Sequence, residues 1–209
     1  MIEMNYLPNL CSAATPQEQE WIVQRVEALS IKEKIIVNGA MKLENPSNSY
    51  DLINTLCQTD CFEVYYPVKN EFELGKFVAE KIETVSQAAM KFVDYEILGE
   101  YFLKNHPGVF GDRGYVFIDT PIKQVYDGRN LETLPDNFAV RLKLSSPKHK
   151  EGVWIKLPDY SEPNGYPGEV QMALDILEAD TLEECTLLEG QPDLLSTRTV
   201  HPPKRQIGL

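Results

Sequence analysis

The chain has 209 residues, 43% hydrophobic and 25% charged, a globular composition that excludes a disordered or fibrous protein. Its 32 Asp and Glu against 20 Lys and Arg leave a net charge of −12 and a pI near 4.7, a field that repels phosphate backbones and anionic lipid and attracts basic surfaces. That sign argues against a DNA binder working through phosphate contacts, and four scattered cysteines (Cys11, Cys57, Cys61, Cys185) exclude a disulfide scaffold.

Met1 to Ser12 carries Glu3 and no basic n-region, so no secretory leader is expected. No run reaches the ~18 apolar residues of a membrane span. A soluble cytoplasmic protein with reduced thiols is therefore expected. Thr15 and Pro16 mark a helix start, followed by Trp21, Ile22, Arg25, Val26 and Leu29 at helical spacing. Ser30 and Glu33 form a capping box for a second helix through Ile35 and Met41. The cluster Asn45 to Ser49 breaks it, and a short helix carries Leu52, Ile53 and Leu56. Cys61 to Val68 reads as a strand.

Asn70 to Val85 predicts an amphipathic helix with Leu74, Phe77, Val78, Ile82 and Val85 inward. Its other face holds Glu73, Glu80 and Glu83, interrupted by Lys76. A helix over Gln87 to Lys104 and a strand over Gly114 to Asp119 follow. Beyond the turn-rich linker from Asp127 to Asn137, Phe138 to Ser146 and Gly152 to Leu157 alternate as half-buried strands. A helix with Val170, Ala173, Leu174 and Leu177 inward and a strand over Glu184 to Leu188 complete a β-β-α-β unit. The class is thus α+β: a mostly helical N-terminal part with a short strand pair, then a small β-β-α-β domain, in an elongated multi-subdomain arrangement. The segments are an N-terminal helical one (1–48), a helical/β domain (49–126), a small acidic α+β domain (137–196) and a disordered tail (197–209).

Acid is concentrated, not spread. Leu157 to Thr197 holds ten carboxylates (Asp159, Glu162, Glu169, Asp175, Glu178, Asp180, Glu183, Glu184, Glu189, Asp193) and no Lys or Arg. A solvated face that keeps a domain soluble is the ordinary reading of a charge run. Missing countercharge favours a sharper one, because carboxylates three or four apart on a helix stand ~5–6 Å apart, a spacing comparable to successive phosphates of a DNA strand. Asp175 and Glu178 form one such row; Glu73, Glu80 and Glu83 form another.

Four stretches in order carry a family resemblance: Leu52 to Tyr65 with its Asp60-Cys61-Phe62 passage, Glu73-Leu74-Gly75-Lys76-Phe77, Phe92-Val93-Asp94-Tyr95-Glu96-Ile97-Leu98-Gly99-Glu100, and Gly108 to Val116. Together they resemble the ArdA antirestriction family. Phe138 to Leu188, around Val153 to Pro158 and Glu184 to Leu188, is similar to that family's small β-sheet domain, which usually precedes the helical part but here follows it. Glu100 stands where the family commonly has Arg. The resemblance implies an elongated, often dimeric mimic of bent B-form DNA that occupies type I restriction-modification complexes, with Asp94, Glu96 and Glu100 joining the acidic surface.

The expectation is therefore a binding protein, not an enzyme: an anti-defence inhibitor of the kind carried by mobile genetic elements. No cofactor, metal, nucleic acid or membrane is expected, and a homodimer is allowed. The alternative is a protein-interaction module, or an anti-CRISPR-like inhibitor of another defence system, without DNA mimicry. Cys57 and Cys61 lack a companion Cys or His pair and read as buried thiols. A Cys–His nucleophile using His106 has no support in spacing. Gly108, Gly111 and Gly114 lack the Lys-Ser/Thr of a phosphate loop and read as turns. Trp154 reads as core, and Lys148-His149-Lys150 as a solvated basic tip.

Overall fold

A computed structural model describes residues 14–83, 85–134, 140–159 and 167–192. The expected tail and Pro135 of the linker therefore lie outside the described residues, as do Glu162 and Asp193. The class is α+β, with two three-stranded antiparallel sheets among the described residues.

Three helices open the fold: α1 (Pro16–Ala28), α2 (Ile31–Glu44) and α3 (Ser49–Cys57). The expected Ser30–Glu33 capping box forms, and the expected Thr15 cap proves to be a box as well, with Glu18, so each helix starts where two backbone donors are satisfied locally. β1 (Phe62–Tyr65) leads to α4 (Glu71–Phe77), which runs on into a π-helical turn over Val78–Ile82. The helix expected from Gln87 to Lys104 is instead two, α5 (Gln87–Met90) and α6 (Tyr95–Asn105). The Asp94 carboxylate accepts from the Ile97 N–H and starts α6 afresh, a cap signal the apolar periodicity had overridden.

β2 (Gly108–Phe110) and β3 (Tyr115–Ile118) complete the first sheet in the order β1-β3-β2, one strand more than the expected pair. Tyr65 pairs with Tyr115, and Phe110 meets Tyr115 from the other side. The second sheet has the order β5-β4-β6, from β4 (Val140–Ser145), β5 (Val153–Leu157) and β6 (Thr186–Pro192), with α7 (Glu169–Leu177) packed on it. Its last strand starts and ends later than Glu184 to Leu188.

One core joins the segments at either end of the chain. Ile31, Ile35, Ile36 and Ala40 of α2 share it with Val64 and Val116 of the first sheet and with Ile155, Met172 and Leu177 of the second unit. α2 is thus the common wall between the two sheets. A second cluster packs Ile22, Leu29, Leu52, Leu56 and Tyr126 between α1 and α3, and a third packs Tyr65, Leu74, Phe102 and Phe117 under α4 and α6.

The motif glycines explain that third unit. A Cβ on Gly75 would lie 1.8 Å from the Tyr95 carbonyl oxygen, and one on Gly99 would lie 1.9 Å from the Glu71 carbonyl oxygen. α4 and α6 therefore cross backbone to backbone, which only residues without a side chain permit. No helix among the described residues is long and apolar enough to cross a membrane.

Candidate acidic interface

Members of the two acidic rows line one cleft. This open cleft of about 430 Å³ is lined by Glu73, Lys76, Glu80 and Lys81 and by Gln171 and Asp175 of α7. Asp175 is exposed and accepts from Gln171 at 2.9 Å. Burial pushes the Tyr66 hydroxyl in that cleft above its ordinary pKa, and the Asp175 carboxylate adds to the rise while Arg113 opposes it. Glu80 is exposed with Lys76 3.9 Å away, and Glu83 is exposed beyond it. Past α7, Asp180, Glu183 and Glu184 all stand in solvent, Glu184 accepting from the Asp180 N–H. Glu189 is exposed on β6 in register with Lys143. Glu96 and Glu100 are exposed on α6.

Several residues expected on that surface do other work. Glu169 is buried at 8% exposure, with Ser30 Oγ donating to its Oε1 at 2.5 Å. Asp159 accepts from the Glu169 and Val170 N–H groups at 2.8 and 3.1 Å, satisfying donors that the N-terminus of α7 would otherwise orphan. Glu73 and Asp94 act likewise: Glu73 Oε2 accepts from the Lys69 N–H, and Asp94 from Ile97. Glu178 ends α7 in the left-handed region, with φ 50°. Its carboxylate meets Lys148 at 3.1 Å and His149 at 3.5 Å. Hydrogen bonds from those two residues hold it below the ordinary carboxylate range. The basic tip read as a solvated turn therefore supplies countercharge from the β4–β5 connection.

Sequence reading missed the buried ionic cluster behind this surface. Glu33 Oε1 accepts from Lys156 at 2.8 Å, Thr59 at 3.0 Å and Arg25 at 3.1 Å, and its Oε2 from the Ser30 N–H. Burial alone would raise the Glu33 pKa, yet Arg25 and Lys156 hold the carboxyl below its ordinary value. Arg25 also donates to the Leu56 carbonyl. These residues line a cleft of about 250 Å³ together with Lys32, Asp159 and Glu169. The local Ser30–Glu33 box was the only part visible in one dimension; Lys156 arrives from 123 residues away.

Glu18 is a smaller case of the same kind. Burial pushes its carboxyl up, but hydrogen bonds from Thr15, Tyr126 and Ser49 bring it below the ordinary value. Burial in turn raises the Tyr126 hydroxyl far above its normal range.

The residues set aside also have their places. Cys57 is buried in the second cluster, whereas His106 stacks on Phe102 in the third, ring centroids 4.2 Å apart. Cys61 is only half-buried, so the buried-thiol reading holds for Cys57 alone. Among the described residues no group of three His, Cys, Asp or Glu could hold a metal ion. Gly108 opens β2, and Gly111 donates its N–H to the Gly114 carbonyl in a turn. Trp154 is half-buried, not core, with Arg141 and Lys143 5.9 and 6.0 Å from its ring.

No family model, no curated protein and no solved structure matches this chain. The likeness to the ArdA family thus rests on the motif residues alone, among which Gly75, Asp94 and Gly99 have the packing and capping roles just described.

Proposed function

We propose that this protein is a DNA-mimic inhibitor of a bacterial defence enzyme, acting in the cytoplasm by occupying the enzyme's DNA-binding groove. The observation that carries the reading is that Glu80 and Asp175, one from each acidic row, line the same open cleft, continued by exposed Asp180, Glu183 and Glu184. A basic groove built for phosphates meets there carboxylates held on α7 and on the π-helical continuation of α4, and the attraction is electrostatic and salt-sensitive. The motif series points to type I restriction-modification complexes as the target class. The test is competition with duplex DNA for a type I methyltransferase, run with the parent chain and with Asp175, Glu183 and Glu184 reversed to Lys. Unchanged competition by the reversed chain refutes the mimicry.

A protein-interaction module is the second reading, and one feature favours it. Ile97 and Tyr101, four apart on the outer face of α6, are 64% and 66% exposed. Large apolar side chains on an outer helix face are what a partner would cover. Binding through them would show little salt dependence, survive the charge reversals, and be lost on changing Ile97 and Tyr101 to Ser.

A further inference from the structure

Glu169 is buried between the starts of two helices that belong to opposite ends of the chain. It is the first residue of α7, and its carboxyl lies against Ser30, which caps α2. Ser30 Oγ accepts from the Glu33 N–H and donates to Glu169 Oε1, while Glu169 Oε2 is buried without a hydrogen-bond partner. All but one of the charged groups named around it are already engaged. From α1 and β5, Arg25 and Lys156 turn to Glu33; from α2, Glu33 itself is a second carboxylate; after β5, Asp159 is a third, spent on the N–H groups of Glu169 and Val170. Lys32 of α2, through its backbone N–H and its ammonium, is the counterweight that favours the ionised form.

We propose that Glu169 is a protonation-controlled latch: neutral, it docks the acidic helix α7 on the N-terminus of α2, and ionised, it loosens that contact. The physical reason is that a carboxylate in this position has an unsatisfied buried oxygen and two like charges beside it, whereas the neutral carboxyl avoids most of that cost. Burial, foremost, and Glu33 raise its pKa to about 7. Losing the proton frees the helix that carries Asp175, so the acidic interface is more mobile on the alkaline side of neutrality. The latch belongs to the protein alone and holds whatever partner the surface serves.

The direct test is a carboxyl ¹³C NMR titration of the full-length chain, paired with hydrogen-exchange protection of the α7 amides between about pH 4.5 and 8. A Glu169 midpoint near 7 is expected. Protection factors in α7 should fall by up to about tenfold for each pH unit between about 4.5 and that midpoint, and level off above it. Glu169→Gln should hold them constant. His149→Gln should keep the fall, which separates the latch from the His149–Glu178 contact at the other end of α7. Should Glu169→Gln not fold, Ser30→Ala serves instead: losing a donor that favours the ionised form, it should move the midpoint upward. A midpoint in the ordinary carboxylate range, or a fall in protection that Glu169→Gln retains, overturns the latch.

Discussion

The capping-box carboxylates of α1 and α2 and those on and after α7 look alike in sequence and do opposite things. Glu18 and Glu33 are buried and fully engaged, Glu18 with Thr15, Ser49 and Tyr126, and Glu33 with Arg25, Thr59 and Lys156. Asp175, Asp180, Glu183 and Glu184 stand in solvent with no Lys or Arg anywhere in their stretch of sequence. The difference teaches that the number of acidic residues says little about an acidic interface. What matters is which of them the fold leaves to spare.

Removing a carboxylate should therefore cost stability in the first region and binding in the second. The largest expected effect is at Glu33. Glu33→Ala leaves Arg25 and Lys156 buried beside a lost partner, and should cost on the order of 3–5 kcal/mol in denaturant unfolding. Gly99→Ala comes next, because its methyl group would meet backbone and not a movable side chain. A loss of roughly 1–3 kcal/mol is expected, with α4 and α6 losing hydrogen-exchange protection before α2 does. Asp159→Ala removes acceptors from two N–H groups at the start of α7 and should cost about 1 kcal/mol. Smallest in stability is the triple reversal of Asp175, Glu183 and Glu184, expected within about 0.5 kcal/mol of the parent. If the triple reversal unfolds the chain, or Glu33→Ala is neutral, the division between the two regions fails.

pH sharpens the same comparison, because the two kinds of buried carboxyl pull in opposite directions. Glu33 and Glu18 are held below their ordinary value, so their stabilisation is present above about pH 4.5 and is lost as pH falls through their folded pKa values. Glu169 is raised from 4.5 to about 7, so its penalty is absent at low pH, grows above 4.5, and is complete once pH passes 7. Stability should rise from acid, peak in the mildly acidic range, decline to about pH 7 and level off above it. Glu169→Gln should flatten only the alkaline limb, which unfolding curves across that range will show.

Much of the fold was legible because its signals are local. The boxes Thr15–Glu18 and Ser30–Glu33 announce α1 and α2 within four residues, and the alternation in Val153 to Leu157 announces β5. The break before α6 was also written locally, in Asp94, but the apolar spacing on either side ran across it. The acidic surface was half legible. A Lys- and Arg-free stretch identifies the residues that could face a basic groove, yet it cannot reveal that Asp159 is spent on backbone N–H groups or that Glu169 turns inward to Ser30. Nor could it reveal that Lys148 and His149 reach Glu178 from another hairpin. Those partners lie tens of residues away, and only the packing of α7 against α2 and the second sheet brings them together.

The central claim is most directly tested by displacing duplex DNA from a type I methyltransferase at low and at moderate ionic strength. The account predicts displacement by the parent chain that weakens steeply as salt rises, and none by the chain carrying Lys at positions 175, 183 and 184, with its fold intact by circular dichroism. Equal displacement by both chains, or displacement indifferent to salt, would contradict it.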